Sequence, residues 1–162
     1  MRAIAIATAA LLASATAAQA APAAVSVTIA PELQAKAEHG LGVRDVDQLA
    51  DQLRTTVQKR LARSGAYDGA RIDLVLIDVK PNRPTFEQMS RRPGLSFESF
   101  GIGGAAIAGQ AVAANGAVTP IHFRDYESDI RRARNLSTWA DAEWAIDRFA
   151  HDLSHGQALA GR

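Results

Sequence analysis

Asp147, His151 and His155 follow one another at intervals of four. On an α-helix that spacing lines up a carboxylate and two imidazoles on one face, donors that a divalent metal takes. His122 is a ligand from elsewhere in the chain for such a site, and its neighbours Asp125, Glu127 and Asp129 add a base or an orienting carboxylate. A metal-binding protein or metal-dependent hydrolase is therefore the alternative function, with a divalent metal as cofactor. The leading expectation is a protein without cofactor or catalysis. His155 near a helix end is accounted for by the helix dipole alone, and charge clusters in loops are ordinarily solvated. The G-x-S-x-G, H-E-x-x-H, phosphate-loop and S-x-x-K patterns are missing from the 162 residues.

Gly101, Gly103 and Ala106 fit a G-x-G-x-x-G/A dinucleotide fingerprint, with Asp125 placed downstream for a ribose contact. That fingerprint must open a helix, whose free N–H groups meet the pyrophosphate. Gly109 and Asn115-Gly116 instead predict a strand and a turn here, so a tight loop or bulge is expected in place of a nucleotide site.

Two further groups carry binding chemistry. Arg83, Arg91 and Arg92 crowd residues 80–100, and Arg131, Arg132 and Arg134 precede the last amphipathic segment. Guanidinium forks suit carboxylates and phosphates, while Glu87, Glu98 and Asp129 are near enough in sequence to pair with them. Trp144 stands about 140° around a helix from Trp139, outside the apolar stripe. A tryptophan there either caps a sheet edge with Phe97, Phe100 or Tyr126 or anchors a partner. The candidate partner-binding set is Arg83, Phe86, Arg91, Arg92, Phe97, Phe100 and Trp144.

The elements that position these residues follow from periodicity. Val25, Val27 and Ile29 alternate with polar or small residues and predict a half-buried strand ended by Pro31, followed by a connection over residues 32–42 that leaves His39 in solvent. Val46, Leu49, Leu53, Val57 and Leu61 fall on one helical stripe, with Asp45 and Gln48 resembling a capping box and Gly65 as the stop. Residues 71–79 are apolar on both faces, which predicts a central strand covered on both sides. Residues 80–100 hold three prolines and no period, a loop of the length that is usually functional or disordered. Residues 107–114 and 117–123 flank Asn115-Gly116 as a hairpin, with Pro120 placing the second strand at an edge. Thr138 and Asp141 mark the start of a last helix, with Trp139, Ala142, Ile146, Phe149 and Leu153 on its stripe and Gly156 at its end. The fold class is α+β: a small mixed sheet covered on one face by two helices, in the order β-α-β-β-β-α.

The chain opens as an export signal opens. Arg2 gives a positive start, residues 3–13 are apolar apart from Thr8, and Ala18-Gln19-Ala20 offers the small residues a signal peptidase needs. Residues 1–20 are therefore expected to be a cleaved signal peptide, residues 21–156 one α+β domain and residues 157–162 a disordered tail. The destination is the periplasm, with extracellular release the alternative. The chain has no cysteine, which leaves no lipidated amino terminus, disulfide or thiolate site. Of 18 basic side chains Arg2 leaves with the signal, against 17 acidic ones, so the mature chain is neutral and no global field recruits nucleic acid or membrane.

Asn82-Arg83-Pro84-Thr85-Phe86, Gly94-Leu95-Ser96, Ser99-Phe100-Gly101-Ile102-Gly103-Gly104, Thr138-Trp139-Ala140-Asp141-Ala142 and Arg148-Phe149-Ala150 together resemble a family of uncharacterised exported proteobacterial proteins, mostly lipoproteins. The resemblance covers residues 25–153 and implies a small, exported, non-enzymatic protein; the missing lipidated cysteine is a departure from it. The order of elements is also similar to the amino-terminal domain of the translocation protein TolB, an analogy of fold that carries no residue across. The functional expectation is a non-catalytic binding or assembly-accessory module of the cell envelope, its partner an envelope protein or a cell-wall or lipid component. Its partner surface is formed by residues 80–104 and the face bearing Trp144.

Overall fold

The computed structural model describes residues 23–134 and 136–157. The expected signal peptide, and all of the expected tail but Gln157, lie outside the described residues. Four strands form one mixed sheet in the order β1 (Ala24–Ile29), β2 (Arg71–Lys80), β3 (Gly104–Val112), β4 (Val118–Tyr126). β1 runs parallel to β2, and the β2–β3 and β3–β4 pairs are antiparallel. Two long helices, α2 (Val43–Ser64) and α4 (Ala140–Ser154), pack on each other and on one face of this sheet. The fold is thus α+β with a mixed sheet covered on one face by two helices.

The apolar stripes explain the assembly. Val46, Leu49, Leu53, Val57 and Leu61 of α2 and Ala142, Ile146, Phe149 and Leu153 of α4 are all buried, against Ile72, Leu74 and Leu76 of β2, Ile107 of β3 and Ile121 of β4. Phe149 meets Phe123 of β4 at a ring-centroid distance of 5.4 Å. Small side chains on β3, Ala105 and Ala111, bring α4 close to the strand, as the alanine and glycine run predicts. β4 is an edge strand, so Pro120 removes no ladder bond that the core needs.

Several expectations are corrected. Residues 31–41 are largely helical: α1 (Pro31–Lys36) continues into a wide turn, Ala37–Leu41, that kinks at Gly40. Leu33, Ala37 and Leu41 sit at intervals of four and are buried, a period masked in the sequence by Gly40 and Gly42. β2 is central by pairing but not doubly covered. Its second face carries half-buried Val75 and Ile77, which is 39% exposed, and an irregularity between Leu76 and Asp78 returns Val79 to the core side. α2 starts at Val43 without a side-chain cap; Asp45 lies in its first turn and accepts from the Trp139 indole N–H at 3.4 Å. Between the strands, Ala113 and Ala117 close a turn of three residues, 114–116. Gly116 N–H donates to Ala113 C=O and Ala113 N–H to Ala117 C=O, with Gly116 in the left-handed region at φ 83°.

Candidate functional site: a buried polar knot beneath an aromatic surface

The polar groups taken deepest into the protein are Asn82, Thr85 and Asp141, and all three are fully bonded. Asp141 is 3% exposed. Its Oδ2 accepts from Asn82 Nδ2 at 2.6 Å and from Gly103 N–H at 3.0 Å, while Oδ1 accepts from Arg134 N–H at 3.0 Å and from the Arg134 guanidinium at 3.4 Å. The pairing is reciprocal, because Asp141 N–H donates to Asn82 Oδ1 at 2.8 Å. Asn82 also binds the backbone of Gly101 in both directions, and its own N–H donates to Thr138 C=O. Burial works against the charged carboxyl, but the donors from Asn82, Arg134 and Gly103 outweigh it and hold Asp141 below the ordinary aspartate value. Gly103 is required by packing: a Cβ there would stand 2.6 Å from Asn82 Oδ1 and 2.8 Å from Lys80 C=O.

This knot clamps both ends of residues 82–103. Between them the chain is mostly irregular, as its prolines predict, but holds one short element that they hid. Thr85 caps a short helix, α3 (Phe86–Arg91), through a reciprocal box in which Thr85 Oγ1 accepts from Gln88 N–H and Gln88 Oε1 accepts from Thr85 N–H. The Thr85 hydroxyl donates to Gly40 C=O at 3.1 Å, which ties α3 to the turn after α1. Thr85-x-x-Gln88 is the sequence signal for this helix.

The outward side of the clamped segment is aromatic. Phe86 is 78% exposed, Phe97 58% and Phe100 52%, and Phe86 and Phe97 meet edge to face at 5.4 Å. The Arg83 guanidinium donates to Phe97 C=O. Arg91 pairs with Glu87 at 2.6 Å, as the sequence allows, and Arg92 is exposed beside the groove lined by Pro84, Leu95 and Phe100. Trp144 is half-exposed on α4, off the buried stripe, and stacks on the Arg134 guanidinium 4.2 Å from its ring centre, not on the aromatics of the sheet edge. Asp141 therefore links the two halves of the predicted partner set. One oxygen holds the root of the aromatic segment, and the other holds the arginine that lies on Trp144.

Arg132, Arg134 and Arg148 face Glu127, Asp141 and Asp125 at 3.4, 3.4 and 3.3 Å around a cleft of about 240 Å³ that Trp144 and Tyr126 border. Arg131 pairs with Asp129, the partner its position predicts. Arg134 has a partner that sequence proximity did not offer, Asp141.

The metal-ligand candidates are not assembled. His151 and His155 stack at 4.3 Å between ring centres, with the His155 Nδ1 against His151 C=O, and Asp147 is exposed a turn earlier. His122 is exposed on β4 next to buried Ile121, so it faces away from the helices and cannot reach the α4 imidazoles. Among the described residues no group of three or more histidine, aspartate or glutamate side chains is placed to hold a metal. Gly101 and Gly103 lead into strand β3 and open no helix, the context that the dinucleotide fingerprint lacks. Among the described residues no helix is long and apolar enough to cross a membrane.

No protein-family model matches the chain, and no curated protein matches it either. The site's own geometry carries the functional reading.

Proposed function

We propose that the protein is an exported, non-catalytic binding or assembly-accessory module of the cell envelope, which engages its partner through residues 82–103 and the neighbouring face of Trp144. The observation that carries this reading is the pairing of a fully bonded polar knot with exposed aromatic side chains on the segment whose two ends it holds. Aromatic rings left in water on an ordered segment are the anchors that interfaces use, and prior ordering reduces the entropy lost on binding. The signal-like sequence of residues 1–20 and the resemblance to exported proteobacterial proteins support the location. The missing G-x-S-x-G, H-E-x-x-H, phosphate-loop and S-x-x-K patterns support a binding role.

The test is site-specific photocrosslinking from positions 86, 97 and 144 in intact cells that export the protein. A discrete adduct with an envelope component from at least one of these positions, and none from exposed Thr119 on β4, is the expected result. Failure to capture a partner from all three would sink the reading.

A further inference from the structure

Two hollows adjoin at Trp144. The first is the cleft of about 240 Å³ described above; the second is a groove of about 390 Å³ lined by Arg60, Asp147, His151 and Asp152. Trp144 and Arg148 border both. The first falls short of the roughly 300–1,000 Å³ typical of a small-molecule site, while the second alone and the two together lie within it. A ligand that occupies both is extended and passes the indole ring.

The charges define the ligand further. Around the cleft, three carboxylates face three guanidinium groups, each pair meeting at 3.3 or 3.4 Å. Around the groove, Asp147 and Asp152 add two carboxylates and Arg60 one guanidinium, Arg148 being shared with the cleft. Five carboxylates thus interleave with four guanidinium groups, so an entering anion meets carboxylates, a cation meets arginines, and neither finds a field of one sign. A hydroxyl group needs none, because it donates to a carboxylate and accepts from a guanidinium together, leaving each ion pair neutral and solvated by the ligand. The indole is half-exposed with the Arg134 guanidinium on its ring, and its exposed part adds an apolar platform for the C–H face of a sugar ring. Interleaved planar donors and acceptors beside a flat aromatic side chain match a neutral, hydroxyl-rich chain.

We propose that Trp144 and the paired charges on either side of it form a binding site for a neutral oligosaccharide. The inference deepens the envelope-binding reading and rests on it, since it assigns a ligand class to the Trp144 half of the surface. The residues that bear the contact are Trp144, Arg148, Asp125, Arg134 and Glu127, with Asp147 extending the site into the groove.

The test is a titration of the purified protein with chitotetraose and with cellotetraose, followed by the two indole N–H signals in proton–nitrogen correlation spectra. Inorganic phosphate and a tetra-alanine peptide are the comparison titrants. At least one sugar is expected to move the Trp144 signal saturably and leave the buried Trp139 signal in place. Trp144→Ala is expected to weaken that sugar about tenfold or more, the scale of losing an aromatic anchor, with Trp144→Phe recovering part of it. The proposal is overturned if neither sugar moves the Trp144 signal, if only phosphate or the peptide does, or if Trp144→Ala binds sugar as well as the parent. A partner crosslinked from position 97 while both sugars fail would remove this inference and leave the envelope reading standing. No crosslinks from 86, 97 or 144 would remove that reading even if a sugar bound.

Discussion

The foot and the rim of residues 82–103 belong to one short stretch of chain and have opposite physical characters. At the foot, Asn82, Gly103 and Asp141 take polar groups out of water and satisfy each of them. At the rim, Phe86, Phe97 and Phe100 keep large apolar surface in water. Neither choice makes sense alone: a buried carboxylate contributes uncertain stability, and exposed phenylalanine invites association. Together they separate two tasks. The foot fixes the geometry, and the rim is the contact surface we propose.

Breaking the foot is expected to give the largest effect. Asp141→Ala strands the Asn82 amide, the Gly103 N–H and the Arg134 N–H at once, and should lower unfolding free energy by about 3 kcal/mol or more in urea titrations. Gly103→Ala comes next, at about 1–3 kcal/mol, because its methyl group must displace Asn82 or the Lys80 carbonyl. The acid limb sharpens the assignment. Asp141 is held below its ordinary value, so its stabilising contribution is complete above the unfolded pKa near about 3.9 and is lost as pH falls through the lower folded value. Asp141→Asn should lack that component, so its stability gap from the parent should narrow as urea titrations are taken from pH 6 towards pH 3. At the rim, Phe97→Ser is expected to change stability by about 1 kcal/mol or less, since it removes one edge-to-face contact from an exposed position.

The sequence reveals the foot and the rim unequally. Long apolar periods are local, so the α2 stripe, the α4 stripe, the hairpin and its edge position all read correctly from spacing. Trp144 also stands out, because it breaks the α4 period. The knot does not, since Asn82 and Asp141 lie 59 residues apart and a polar pair leaves no periodic trace. Thr138 and Asp141 read locally as the cap and third residue of the last helix; Trp139 takes the cap position without a side-chain bond, and the fold turns Asp141 inward to the root of another segment. α3 was legible through Thr85 and Gln88, but three prolines nearby masked it. The open face of β2 was invisible for a different reason: Val75 and Ile77 carry β-propensity whether or not a layer covers them.

The division of labour between foot and rim is tested most directly by the combined variant Phe86→Ser, Phe97→Ser, Phe100→Ser, carrying the crosslinker at position 144. Its thermal unfolding and its partner adduct in cells are measured on the same preparation. A melting temperature within a few degrees of the parent, as for surface changes, and loss of the adduct are the expected results. An undiminished adduct from a folded variant, or unfolding of the variant as severe as that of Asp141→Ala, would contradict that division.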